Sequence, residues 1–186
     1  AFTRLLAHEI FHSAIVLWKL KDKSKSFDDE YDCYIQHYMW ACDTWGPCSS
    51  GHSTFEEDGP DVEGLRIAHH LMKTTFSTEQ LKELEYDDLG ITREQAFFYA
   101  FGIRLCSDII LNPPKHSNNI IRANGVVAMM PEFTEAFGCQ PGDAEYSEPK
   151  SVCYLFGPHA GFDRDASAND EAGTTFENEK NEGNTN

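Results

Sequence analysis

Residues 8–12 read His8-Glu9-Ile10-Phe11-His12, within a stretch whose apolar residues leave a helix almost no polar face. Phe2, Leu5, Leu6, Ile10, Phe11, Ile15, Val16 and Leu17 occupy nearly every direction around a helical wheel, so this segment is expected in the interior. It carries His8 and His12 with it, and buried imidazoles need partners. Residues i and i+4 share one face of a helix, so both rings reach a single Zn²⁺ while Glu9 lies beside a metal-bound water. Glu9 is then placed to take that water's proton during attack on a carbonyl and to pass it to a leaving amine.

A third protein ligand is required, because such sites leave the fourth position to water. The acidic cluster Glu56-Glu57-Asp58-Gly59-Pro60-Asp61 is the available donor. Proline suits only the first helical turn, so a helix is expected to start near Pro60 and run over Asp61 to Thr75. Glu56, Glu57 and Asp61 all stay open as the ligand on this reading.

The chain has 186 residues, enough for one ordinary domain, and a net charge of -16. That charge makes nucleic acid and anionic membrane surfaces poor partners, since phosphate binding needs clustered Lys and Arg. Cys33, Cys42, Cys48, Cys106, Cys139 and Cys153 form no CxxC pair, and their wide spacing suits disulfides in an oxidising compartment. No transmembrane run or signal peptide is visible. The start at Ala1, directly in an apolar helix and without an initiator Met, suggests a fragment.

The remaining pattern predicts a mainly α chain with weak strand signal. Helices are expected over Phe2 to Lys19 and Tyr31 to Ala41, with a loop through Gly46, Pro47, Cys48 and Gly51. Two capping boxes, Ser77 to Gln80 and Thr92 to Gln95, open a short helix over Leu81 to Leu84 and an aromatic helix through Phe97, Phe98, Tyr99, Phe101 and Ile103. Those aromatics are expected in the core. Asn112-Pro113-Pro114 breaks the chain, residues 120–127 are too interrupted by Asn and Gly to be a secure strand, and Pro131 to Phe137 forms a short helix. From Gly161 the composition predicts a disordered acidic tail, so the domain is drawn at 1–160 and the tail at 161–186.

Several ordered segments together make the chain resemble the neprilysin and endothelin-converting enzyme family of zinc metallopeptidases, over Ala7 to Phe156. Ala7-His8-Glu9-Ile10-Phe11-His12 is similar to the family's GHExxH. Residues 56–65, ending in Asp61-Val62-Glu63-Gly64-Leu65, match its GENIADxxGL without a gap, with Gly59-Pro60 in place of Ile-Ala. Gln95, Phe97, Phe98, Phe101 and Cys106 follow QxFFxxFxxxxC. His116-Ser117, Arg122, Glu132-Phe133, Ala136-Phe137 and Cys139 keep the family's offsets, and Pro149, Cys153 and Phe156 echo its PxxxCxxW.

The resemblance implies a zincin-type catalytic subdomain that cleaves peptide substrates, with His8, His12 and Glu57 holding one Zn²⁺ and Asp61 supporting His8. It implies that His116 stabilises the oxyanion and that Arg122 binds a substrate backbone carbonyl. It also implies an extracellular setting, secreted or as the ectodomain of a membrane protein. The amino-terminal sheet and lobe that grip substrate in the family lie outside this chain. A Cys33–Cys153 disulfide is implied, with Cys106 and Cys139 pairing to that outside region, or else to each other or not at all. Cys42 and Cys48, without a family counterpart, are expected to bridge locally. His37, His52, His69, His70 and His159 match no family site. The competing reading is a non-catalytic homologue that keeps the fold as a peptide-binding or scaffold protein; the retained Glu9 and His116 weigh against it, while Gly59-Pro60 and the absent substrate edge weigh for it.

Overall fold

A computed structural model describes residues 2–21, 25–46, 51–106, 115–147 and 152–155. The chain is mainly α: α1 (Phe2–Lys21), α2 (Lys25–Trp45), α3 (Gly51–Thr75), α4 (Thr78–Lys82), β1 (Leu84–Tyr86), β2 (Ile91–Thr92), α5 (Arg93–Leu105), α6 (Asn119–Val127) and α7 (Pro131–Phe137). The two strands form an antiparallel pair with Leu84 opposite Thr92 and Tyr86 opposite Ile91. Weak alternation in the sequence hid this pair, and Leu84 lies in β1 rather than in the preceding helix.

The centre of the fold is α3, which packs on α1, α2 and α6. All of its residues from 58 to 65 are buried, so it behaves as a helix surrounded on every side rather than an amphipathic one. Contrary to the expectation set by Pro60, α3 begins at Gly51 and carries the proline inside it. The lost backbone bond costs on the order of 3 kcal/mol. Burial of Thr54 and Phe55 before the proline, and of Val62 and Leu65 after it, offsets that loss.

Helix α1 meets α3 through Gly64. A Cβ there would stand 3.1 Å from both the Arg4 carbonyl oxygen and the His8 amide nitrogen, so only glycine admits this approach without displacing backbone. The approach sets the carboxylates of α3 against the histidines of α1. The rest of α1 corrects the wheel argument. Ala7, Phe11 and Ile15 are buried, but Leu6, Ile10, Val16 and Leu17 are each more than half exposed, because α1 packs by one face.

Residues 119–127, unassigned from sequence, form α6. Asn118 caps it, its side chain accepting from the Ile121 amide, and Ile121, Val126 and Val127 turn inward. Both predicted capping boxes are present, opening α4 and α5. In α5, Phe98 and Phe101 enter the core, whereas Tyr99 and Ile103 are exposed, at 47% and 72%. These two, expected inside, instead border an apolar cavity of about 660 Å³ beside Phe137, Cys106 and Cys139.

Cys33 and Cys153 are joined across a separation of 120 residues. Cys106 and Cys139 are free thiols. Cys42 is disulfide-bonded, while Cys48, the expected local partner, lies outside the described residues, as do the Pro113-Pro114 break, Phe156, His159 and the whole segment 161–186. None of the described helices is long and apolar enough to cross a membrane.

Candidate metal centre

Four elements converge on one cavity of about 480 Å³: α1, the first half of α3, the end of α5, and the segment that enters and begins α6. His8 and His12 stand one turn apart on α1, their Nε2 atoms 3.1 Å from each other. Each lies 3.4 Å from Oε2 of Glu57 on α3. Glu57, rather than Glu56 or Asp61, therefore presents its carboxylate to the histidine pair. Being inside α3 fixes its approach, in contrast to the looser one expected if the helix began at Pro60.

The three donor atoms suit a metal ion. Ligands about 2.0–2.1 Å from a tetrahedral Zn²⁺ stand about 3.3–3.4 Å from one another. The observed triangle of 3.1, 3.4 and 3.4 Å has that size. A second cluster, Glu30 with Cys33 and Cys153, offers no thiolate because both sulfurs are committed to the disulfide.

Asp61, one turn beyond Glu57, is fully buried and organises the back of the site. Its Oδ1 lies 2.9 Å from His8 Nδ1, a close contact though not well directed as a hydrogen bond. The same oxygen accepts from Arg4 Nη1 at 2.9 Å, and Oδ2 accepts from Arg122 Nε at 2.7 Å. Burial alone would raise this carboxyl's pKa, but His8, Arg122 and Arg4 outweigh it and hold it well below the usual carboxylate range. Asp61 is thus an anion at any ordinary pH.

Asp58 behaves in the opposite way. Burial pushes its pKa up to about 7, against the lowering effect of hydrogen bonds from Thr54 and Ser117. The Ser117 hydroxyl donates to its Oδ2 at 2.7 Å, which ties the loop before α6 to α3. Next to Ser117, His116 places Nε2 3.0 Å from the same Glu57 oxygen. Glu9 is exposed and lines the cavity.

Every site residue expected from sequence thus reaches one place: His8, Glu9, His12, Glu57, Asp61, His116 and Arg122. Sequence reasoning passed over Arg4 and Arg104, which also line the cavity. Arg4 lies one turn before His8, so helical spacing was a usable signal for it. Arg104 had none. The histidines set aside lie elsewhere: His37 bonds the Gly125 carbonyl, His52 the Tyr31 hydroxyl, and His69 the Glu94 carboxylate.

Two helical histidines and a carboxylate from a second helix, beside an exposed glutamate, make up the arrangement used by metallopeptidases. The comparisons narrow the class further. The chain belongs to peptidase family M13, the family of neprilysin and the endothelin-converting enzymes, whose sequence profile matches residues 4–153. It is similar to endothelin-converting enzyme 1 of Cavia porcellus, 25% identical over 148 residues that cover 75% of this chain and 19% of that protein. Against the Mus musculus and Homo sapiens proteins of the same name it is 27% and 26% identical over 134 residues, 67% of this chain and 17% of each relative. The chain therefore spans less than a fifth of the length of these curated relatives. No solved structure matches it significantly.

Proposed function

We propose that residues 1–160 are the carboxy-terminal catalytic part of an extracellular zinc endopeptidase acting on small peptides, followed by an acidic tail. The observation that carries this reading is the His8, His12 and Glu57 triangle, whose edges match a tetrahedral zinc site and which stands beside Glu9. Zn²⁺ held by these three residues supplies a Lewis acid for the scissile carbonyl and lowers the pKa of a water to about 7.

The chain's own residues supply the rest. Glu9 is exposed to the cavity and pairs with no side chain among the described residues; its carboxylate receives the proton of the attacking water and hands it to the departing amine nitrogen. His116, whose Nε2 lies 3.0 Å from the Glu57 carboxylate, would turn its ring N–H to the oxygen that becomes negative during attack. Arg122 commits Nε to Asp61, which leaves its terminal nitrogens for a substrate carbonyl. Asp61 holds the His8 ring by its far nitrogen, so that Nε2 is the face turned to the metal.

The test measures zinc content and peptide cleavage in this chain and in an amino-terminally extended form. One zinc per chain is expected, with Glu9→Gln keeping the zinc and losing roughly 10²–10⁴-fold in turnover. Absence of stoichiometric zinc overturns the metal assignment. Undiminished turnover by Glu9→Gln overturns the role of that carboxylate.

A further inference from the structure

Three arginines line the candidate cavity, Arg4, Arg104 and Arg122, and they are not alike in their partners. Among the described residues there are five arginines, and four of them meet carboxylates: Arg4 and Arg122 share Asp61, Arg66 meets Glu63, and Arg93 meets Glu83 and Glu85. Arg104 meets none of the described carboxylates. It is exposed, yet it lines the same cavity as His8, Glu9 and Arg122. It also lies close enough to Arg4 for the two guanidinium groups to repel.

A guanidinium in a cleft with no carboxylate partner among the described residues stands out in a chain of net charge -16, where carboxylates are abundant. Its position in the last turn of α5 favours a cation electrostatically. That preference would be met equally by a side chain turned to open solvent, and so does not account for the cavity. A planar fork of donors held free in a cleft is suited to a carboxylate, which it can grip by two parallel hydrogen bonds.

We infer that Arg104 is an anion-binding specificity residue, which selects peptides presenting a carboxylate to the wall formed by the end of α5. The inference rests on the cavity being a peptide site, and it adds a chemical class of substrate to that reading. The carboxylate has two sources, an acidic side chain or a free carboxy terminus, and both present the same group.

Three acetylated alanine-rich peptides of one length separate these sources: one with a free carboxy terminus, its amide, and an amide carrying a single internal glutamate. Their affinities for the chain, with and without added Zn²⁺, are measured by calorimetry, which needs no turnover, and zinc uptake and cleavage are followed in parallel. At least one carboxylate peptide is expected to bind on the order of 10-fold more tightly than the neutral amide, the size of one charge-assisted hydrogen bond. Arg104→Gln is expected to reduce that preference to near unity, and Arg104→Lys to keep part of it. Which acidic peptide gains identifies the source.

Equal affinities in the unsubstituted chain, no binding of any of the three, or a carboxylate preference untouched by Arg104→Gln each overturn the assignment. Cleavage without carboxylate preference sinks the inference and leaves the peptidase reading standing. An Arg104-dependent preference in a chain that neither takes up zinc nor cleaves does the reverse.

Discussion

His37 does not line the candidate cavity, and its chemistry belongs to folding. Its Nε2 donates to the Gly125 carbonyl at 2.7 Å, joining α2 to α6, and the ring packs against Tyr38 and Trp40. Burial lowers its pKa from 6.5 to about 4, more than the Gly125 bond raises it. The unfolded chain therefore binds a proton at this residue between pH 6.5 and 4 while the folded chain does not. Stability is lost as pH falls through that window, by about 3 kcal/mol from this group when the window is crossed. His37→Gln retains a donor without a titrating charge. Unfolding curves of the two proteins are expected to converge as pH drops from 7 to 4, and parallel pH profiles would contradict the assignment. Nothing in the sequence marked His37 for this role, since a buried imidazole with a carbonyl partner has no spacing signature.

At the scale of elements, the α1 and α3 contact decides whether the site exists. Gly64→Val forces a branched side chain into the Arg4 and His8 backbone and is expected to cost roughly 1–3 kcal/mol. Gly102, inside α5, has no atom within 4 Å of a built Cβ, and Gly102→Ala is expected to stabilise by about 0.5–1 kcal/mol. Thermal unfolding of both variants checks the contrast, and zinc affinity should fall with the first alone. The convergence of these side chains was legible in the sequence because helical spacing fixes His8 against His12 and because the family's ordered segments tie Glu57, Asp61, His116 and Arg122 to them. The start of α3 was not legible. Local rules start a helix at Pro60, and tertiary burial of Thr54 and Phe55 extends it back to Gly51. Helix α6 was hidden for a related reason: Asn124 and Gly125 depress local propensity, while Gly125 permits the close approach of the Tyr38 ring, which a Cβ would meet at 3.2 Å. The exposed face of α1 was also misread, because a wheel shows where apolar side chains point and not what stands opposite them.

For the molecule as a whole, residues 152–155 fasten the far end of the chain to its first half. The Tyr154 amide donates to Glu30 at 2.8 Å and the Leu155 amide to Glu63 at 3.1 Å. Arg66 donates to the carbonyls of Cys153 and Met129 and to Glu63, and its guanidinium lies 4.4 Å from the centre of the Tyr154 ring. The Cys33–Cys153 disulfide closes the same junction, and a loop of this length is worth up to about 5 kcal/mol in the chain-entropy account. Cys153→Ser is therefore expected to lower stability by roughly 2–5 kcal/mol, read as an earlier denaturant midpoint. A midpoint unchanged under oxidising conditions would show that the hydrogen bonds suffice.

Glu30, Glu63 and Arg66 belong to helices made well before residues 152–155, which supply several of their hydrogen-bond partners. Until residue 155 emerges, three charged groups must either stay hydrated or be buried without those partners. The native packing of α2 on α3 is thus conditional on the end of the chain. Completion of this pair of helices therefore waits on residues 152–155, and on the Cys33–Cys153 bond that closes the same junction.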